Sequence, residues 1–254
     1  MKRVLITGAN GQLGLALQGA AKNFTLDLIF MDKSVLDITN AEDIKEVFAT
    51  QSFDVCINAA AYTDVDGAES NKALAFVINK TAVETLAKAC KEHRCWLMHI
   101  STDYVFDGTL DRPYVPADTP NPLNVYGASK LAGEQAIQAV GGNYSVVRTS
   151  WLYSQYGNNF YTKLQAQLDA GKTLQVTEGQ KGCPTRAEDL ARHLLTGIAG
   201  QKLSKGISHY CGSEVMTWLD LARRLFPKEE VLECGGARPL AVRPNRVVLK
   251  NNNS

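Results

Sequence analysis

Tyr126 and Lys130 stand four residues apart in Tyr126-Gly127-Ala128-Ser129-Lys130. On a helix that spacing puts a phenol and an ammonium on one face. The pair suits the reduction of a ketone, which needs a hydride at carbon and a proton at oxygen. A free phenol, with a pKa of about 10, is poorly matched to neutral pH. A neighbouring lysine cation, joined by the positive ring of an oxidised nicotinamide, stabilises the phenolate. Tyr126 is then the proton donor, and Lys130 tunes it and can hold the nicotinamide ribose. Upstream, Ser101-Thr102-Asp103 closes an expected strand. A hydroxyl there can hydrogen-bond the substrate oxygen and completes a catalytic triad of Thr102, Tyr126 and Lys130. The plainer reading is that Thr102 caps a turn and Tyr126 merely packs.

A second constellation supplies the hydride carrier. Gly8, Gly11 and Gly14 fall in Gly8-Ala9-Asn10-Gly11-Gln12-Leu13-Gly14, between a first strand and a first helix. A chain that turns tightly under a pyrophosphate needs positions without a Cβ. The helix start beyond it, at Gln12 and Leu13, presents unpaired N–H groups to the anion. Strand before and helix after separate this triplet from a simple glycine turn. Asp32 follows the second strand, where a carboxylate accepts hydrogen bonds from adenosine ribose hydroxyls and favours NADH. Lys33 next to it can meet a 2′-phosphate, so NADPH is also expected to serve. Asp37 and Ile38 are placed on the adenine side. Ala59, Ala60 and Ala61 are small enough for a cofactor to lie on the strand ends, with Tyr62 and Thr63 at that edge.

The elements that must position these residues alternate. Strands are expected at Val4–Thr7, Leu26–Met31, Val55–Asn58, Trp96–Ser101 and Ser145–Thr149. Helices are expected at Gln12–Ala21, from a Thr39/Glu42 capping box to about Thr50, at Ala73–Cys90 and at Tyr126–Val140. In the long Ala73–Cys90 helix, Leu74, Val77, Ile78, Val83, Leu86 and Ala87 are available for a buried stripe. Apolar strand runs of this kind fit a parallel sheet covered on both faces. The expected fold class is α/β: a Rossmann-type, doubly wound parallel sheet over residues 1–150. A smaller substrate lobe over 151–254 has a soft, interleaved boundary with it. That second half shows helices at Asn159–Ala170, after a Thr185/Glu188 capping box, and from Thr217/Asp220 to Phe226, with a strand at Ile207–Tyr210.

Composition narrows the function. The net charge is +1, and no basic block points to nucleic acid or a membrane surface. The amino terminus lacks the apolar stretch and cleavage site of a signal peptide, and no apolar run spans a bilayer. Six cysteines occur without a C-x-x-C pair, which argues against a metal cluster. Cys56 and Cys90 lie in apolar patterns that suit buried free thiols. A reducing cytoplasmic location is expected, with no metal.

Longer stretches carry a resemblance. Thr7–Gly14, Leu36–Thr39, Asn58–Ser70, His99–Gly108, Asn121–Glu134 and Arg148–Tyr153 resemble the extended short-chain dehydrogenases, and more closely the dTDP-4-dehydrorhamnose reductase family. Gln180–Thr185 and Ala241–Pro244 fit that family's second half, so the similarity runs from Arg3 to about Leu249. It implies reduction of dTDP-4-dehydro-β-L-rhamnose to dTDP-β-L-rhamnose. It also implies that Thr102 and Asp103 contact the sugar and that Trp151 packs on its ring; the plainer reading of Trp151 is core packing. Gly11, Gln12, Leu13, Asp32, Asp37, Ile38, Ala61, Tyr62, Thr63, Tyr126 and Lys130 would hold NADPH or NADH. Arg243 is a candidate for the nucleotide pyrophosphate, or for a surface salt bridge. The family continues past Ala241–Pro244 into a terminal helix, whereas this sequence stops at Ser254. A monomer or homodimer without a metal link is therefore expected.

Two other functions share these motifs. Sugar-nucleotide dehydratases and epimerases keep the cofactor turn and the Y-x-x-x-K. Dehydratases commonly place Asp-Glu after the triad hydroxyl, where this chain has Asp103-Tyr104. The regulatory subunit of methionine adenosyltransferase resembles the fold and keeps much of Ser101–Gly108, but lacks a tryptophan where Trp151 stands.

Overall fold

The computed structural model describes residues 1–177, 179–233 and 240–251. In chain order the elements begin β1 (Arg3–Thr7), α1 (Gln12–Ala21), β2 (Asp27–Met31), α2 (Ala41–Thr50), β3 (Val55–Asn58), α3 (Val65–Ser70) and α4 (Lys72–Phe76). A π-helical turn (Val77–Thr81) leads into α5 (Ala82–Glu92), followed by β4 (Trp96–Thr102), α6 (Val125–Val140) and β5 (Tyr144–Thr149). The second half adds β6 (Leu152–Tyr153), α7 (Phe160–Asp169), β7 (Leu174–Val176), β8 (Lys181–Gly182), β9 (Thr185–Arg186) and α8 (Ala187–Ala199). It ends with β10 (Gly206–His209), β11 (Met216–Thr217), α9 (Trp218–Leu225) and β12 (Val231–Glu233).

Six strands form one parallel sheet in the order β10-β5-β4-β3-β1-β2. Side chains alternate across it, as the two-residue strand period requires. Leu5, Cys56, Leu97 and Val146 face α2, α5 and α6, packing with Ile44, Leu86 and Ile137. Val4, Ile6, Ile57 and Val147 face α1 and α8, packing with Leu17, Leu190 and Leu194. The sheet is thus doubly wound, with α8 and β10 of the second half completing it. Strand order reverses between β1 and β3, and the crevice at such a point is where doubly wound sheets bind ligands. A separate small core of Leu164, Leu174, Val176, Ala222 and Phe226 builds the lobe of α7, α9, β7 and β12.

Three local expectations are corrected. The α2 cap is Asn40, whose side chain accepts the Glu42 N–H; the Thr39 hydroxyl is donated to Asp37 instead. The expected long helix is broken by the π turn, which rotates the stripe. Leu74 and Val77 are exposed, and Asn79 is buried in their place. Thr185 caps no helix, because it lies in β9 with its hydroxyl on the Cys183 carbonyl. Cys56, Cys90, Cys95, Cys183 and Cys211 are buried and free, while Cys234 lies outside the described residues. Among the described residues no helix is long and apolar enough to cross a membrane, and no cluster of ligating side chains could hold a metal ion.

Candidate active site

The glycine turn sits at the strand-order reversal and touches the neighbouring strand end. Gly8 adopts φ +66°, and a Cβ there would lie 2.7 Å from the Ala60 N. A Cβ on Gly14 would lie 2.4 Å from both the Gly8 and Ala9 carbonyl oxygens. Gly8 and Gly14 therefore let the β1 turn, the β3 end and α1 close on one another. Gly11 is the N-cap of α1 and offers no side-chain acceptor, and no acidic residue stands in the first turn. The α1 N–H groups are left available for an anion. Asp32 accepts from the Ser34 N–H and hydroxyl and from the Asn10 amide. The Ser34 hydroxyl hydrogen bond leads in holding its pKa below the usual carboxylate range, so it stays ionised. Lys33 pairs with Asp37 at 3.6 Å.

One cleft of about 490 Å³ runs from this turn to the tips of β4 and β5. Of the residues singled out from the sequence, Gly11, Gln12, Leu13, Ala61, Thr63, Thr102, Asp103, Tyr126, Lys130 and Trp151 line it. Asp32 stands beside the turn, bonded to Asn10, and Asp37 sits in the loop after β2, paired with Lys33; neither lines the cleft. The Ile38 side chain is buried in the core under α2, so only its backbone can face a cofactor. Tyr62 is pinned through its backbone, which exchanges two hydrogen bonds with the Asn79 amide.

At the far end, Thr102 donates to Asp103 Oδ1 (3.1 Å) and accepts from the Tyr104 N–H. The Tyr126 ring packs edge-on against Tyr104 at 5.9 Å. Burial pushes the Tyr126 phenol up, the nearby Thr102 hydroxyl draws it down, and the charges of Asp103 and Tyr104 push it up again. Lys130 is buried and donates to the Ile100 carbonyl at 2.6 Å; burial pushes it down to about 8. Gln12 Nε2, Asp103 Oδ2 and Thr149 Oγ1 are buried along this cleft without a hydrogen-bond partner among the described residues. Buried polar atoms are seldom left so, and these three point to groups a bound molecule brings.

Burial raises Asp103 from its ordinary 3.8 to about 7. Between those values the folded chain holds a proton that the unfolded chain has released, so stability falls as pH rises from about 4 to about 7, then levels. Asp103→Asn should flatten the melting temperature across that interval; an unchanged slope would show that the carboxyl ionises freely.

The role of Glu134 escapes sequence reasoning, and the structure decides those of Arg243 and Trp151. Glu134 accepts from Arg148 Nε (2.9 Å) and Nη2 (2.6 Å) and from the Ser101 hydroxyl, tying α6 to β5 and β4. Arg243 is engaged by Asp66 through Nη1 (3.0 Å) and Nη2 (2.7 Å), the salt bridge rather than the free pyrophosphate ligand. Trp151, at φ +47°, stacks on Trp218 with centroids 3.5 Å apart. A Cβ on Gly182 would lie 2.5 Å from the Trp151 ring-fusion carbon Cε2, and no Trp218 atom is as near to that point. Such an approach comes over the indole face, opposite Trp218. Trp151 is thus packed between Trp218 and Gly182, and both tryptophans line the cleft.

Comparison with known proteins identifies the family. Residues 1–249 match the family model described as the RmlD substrate binding domain. A dTDP-4-dehydrorhamnose reductase from Mycobacterium tuberculosis (strain ATCC 25618 / H37Rv) is 40% identical over 248 residues, covering 96% of this chain and 79% of the relative. One from Escherichia coli (strain K12) is 38% identical, covering 91% and 79%. The crystal structure of a Bacillus anthracis str. Ames dTDP-4-dehydrorhamnose reductase in complex with NADP superimposes with a TM-score of 0.93 at 36% identity, over 99% of this chain and 91% of that one. With the family model matching residues 1–249, nearly the whole chain, the chain belongs to the RmlD-type dTDP-4-dehydrorhamnose reductase family.

Proposed function

We propose that the chain reduces the C4 ketone of dTDP-4-dehydro-β-L-rhamnose to dTDP-β-L-rhamnose, using NADPH or NADH, with Tyr126 as proton donor. The observation that carries this is a single cleft joining the Cβ-free turn at α1 to Thr102, Tyr126 and Lys130. The residues present fit a dinucleotide. Gly11, Gln12 and Leu13 would take the pyrophosphate, Asp32 the adenosine ribose, Ala61 and Thr63 the strand-tip stretch, and Lys130 the nicotinamide ribose. Bound there, the reduced nicotinamide supplies the hydride. Thr102 holds the ketone oxygen, and Tyr126 hands it the proton.

Asp103 Oδ2 and Thr149 Oγ1 are satisfied by sugar hydroxyls, and Trp151 borders the ring. Gly182→Ala should displace the indole and raise KM for the sugar nucleotide about tenfold or more, with a smaller change in kcat. An unchanged KM would remove Trp151 from substrate binding.

The direct assay supplies the 4-keto-6-deoxy sugar nucleotide with its epimerase and follows absorbance of each reduced cofactor. Consumption in step with product supports the reading. With the added epimerase left out, sugar conversion without consumption would make the chain an epimerase, and tight partner binding without turnover a regulatory subunit.

A further inference from the structure

Beneath Lys130 a buried polar chain runs across three strands, and its donor pattern can be read without ambiguity. The Asn58 Oδ1 accepts from the Thr7 hydroxyl at 2.7 Å and from the Ala60 backbone N–H at 3.3 Å. A backbone N–H can only donate, so that atom is the amide oxygen. The Asn58 amide nitrogen therefore points at His99 Nδ1, 3.1 Å away, and must donate to it. His99 is fully buried, and burial together with the Lys130 charge holds its pKa well below the ordinary range, so the ring is neutral. A neutral ring has one proton. With Nδ1 accepting, that proton sits on Nε2, which faces Lys130 Nζ at 3.3 Å.

An N–H facing an ammonium is two donors meeting, whereas an N–H facing an amine is a hydrogen bond. We infer that His99 is a positioning residue for the reduction, whose Nε2–H stabilises the uncharged form of Lys130. This rests on the reading of Tyr126 as proton donor. When Tyr126 gives its proton to the substrate oxygen, the phenolate regains one that the Lys130 ammonium releases into the cleft both residues line. An N–H bond breaks as the phenol O–H re-forms. The amine left behind accepts the His99 Nε2–H, and solvent returns the proton after product leaves. Of the other ionisable groups, Glu134 on the same helix favours the ammonium, and Tyr126, Asp103 and Tyr104 line the same cleft as Lys130.

Nitrogen NMR of the unmodified chain tests the tautomer without substrate. From about pH 6 to about 9 the His99 ring should show the neutral, Nε2-protonated pattern. Its Nε2 signal should move as Lys130 titrates, and Lys130→Met should abolish that movement. A ring protonated on Nδ1, a charged ring at neutral pH, or a signal blind to Lys130 would overturn the inference. Kinetically, His99→Phe removes the opposing donor and keeps an aromatic ring, somewhat larger, in its place. The alkaline fall of kcat should move up by about one pH unit, the equivalent of one hydrogen bond; an unmoved fall would also overturn it. Absence of any ketone reduction would instead sink the functional reading and leave the tautomer result standing.

Discussion

Tyr126→Phe should lower kcat for ketone reduction by about 10²- to 10⁴-fold while binding of the reduced cofactor stays within a few-fold of normal. The substitution removes one oxygen. The ring keeps its edge-on packing against Tyr104, and the helix start is held by Asn124, which accepts the Gly127 N–H. Gly127 itself has no room to move, since a Cβ there would lie 2.2 Å from the Tyr104 carbonyl oxygen. The site survives and only proton delivery is lost, so the loss falls on kcat rather than on cofactor affinity. Stopped-flow fluorescence of the bound cofactor separates the two. Turnover equal to that of the unmodified chain would take Tyr126 out of the chemistry.

Glu134→Gln should destabilise the fold by about 3–5 kcal/mol. Both side chains are sealed from solvent at 1% exposure. Removing the carboxylate charge leaves a guanidinium buried against the Phe106 ring with an amide for a partner. The Ser101 hydroxyl loses its charged acceptor at the same stroke. Against a typical total of about 5–15 kcal/mol, such a loss is a large share of stability. Urea unfolding measures it. The double substitution Glu134→Leu with Arg148→Met, which leaves no buried charge, should recover most of it. If the single variant unfolds at the normal urea concentration, α6 is not held to β4 and β5 by this pair.

Much of the site was legible because it is local. The glycine turn, the Y-x-x-x-K and Thr102 each lie where a strand ends or a helix begins, and the strand runs are apolar on both faces. Repeating chain direction is enough to bring such ends to one edge. What stayed hidden depends on partners far apart in sequence. Nothing near Ala73–Cys90 announces a π turn; its purpose appears only when Asn79 is seen bonding Tyr62 and Ser129. Nothing in the sequence pairs Glu134 with Arg148; the fold buries them together. Trp151 reads as an open platform until Trp218 and Gly182, from two later segments, close over it. Ile38 belongs to the core because the chain between β2 and α2 folds under α2 rather than along the cleft.

The claim on which all of this depends is that the cleft passes a hydride to carbon while Tyr126 passes a proton to oxygen. It is tested by supplying reduced cofactor labelled with deuterium at its transferable position, together with the 4-keto sugar nucleotide. The expected product carries one deuterium, bonded to C4 of the sugar, with one cofactor oxidised for each. Product formed with no label at C4, or cofactor left unoxidised, would contradict it.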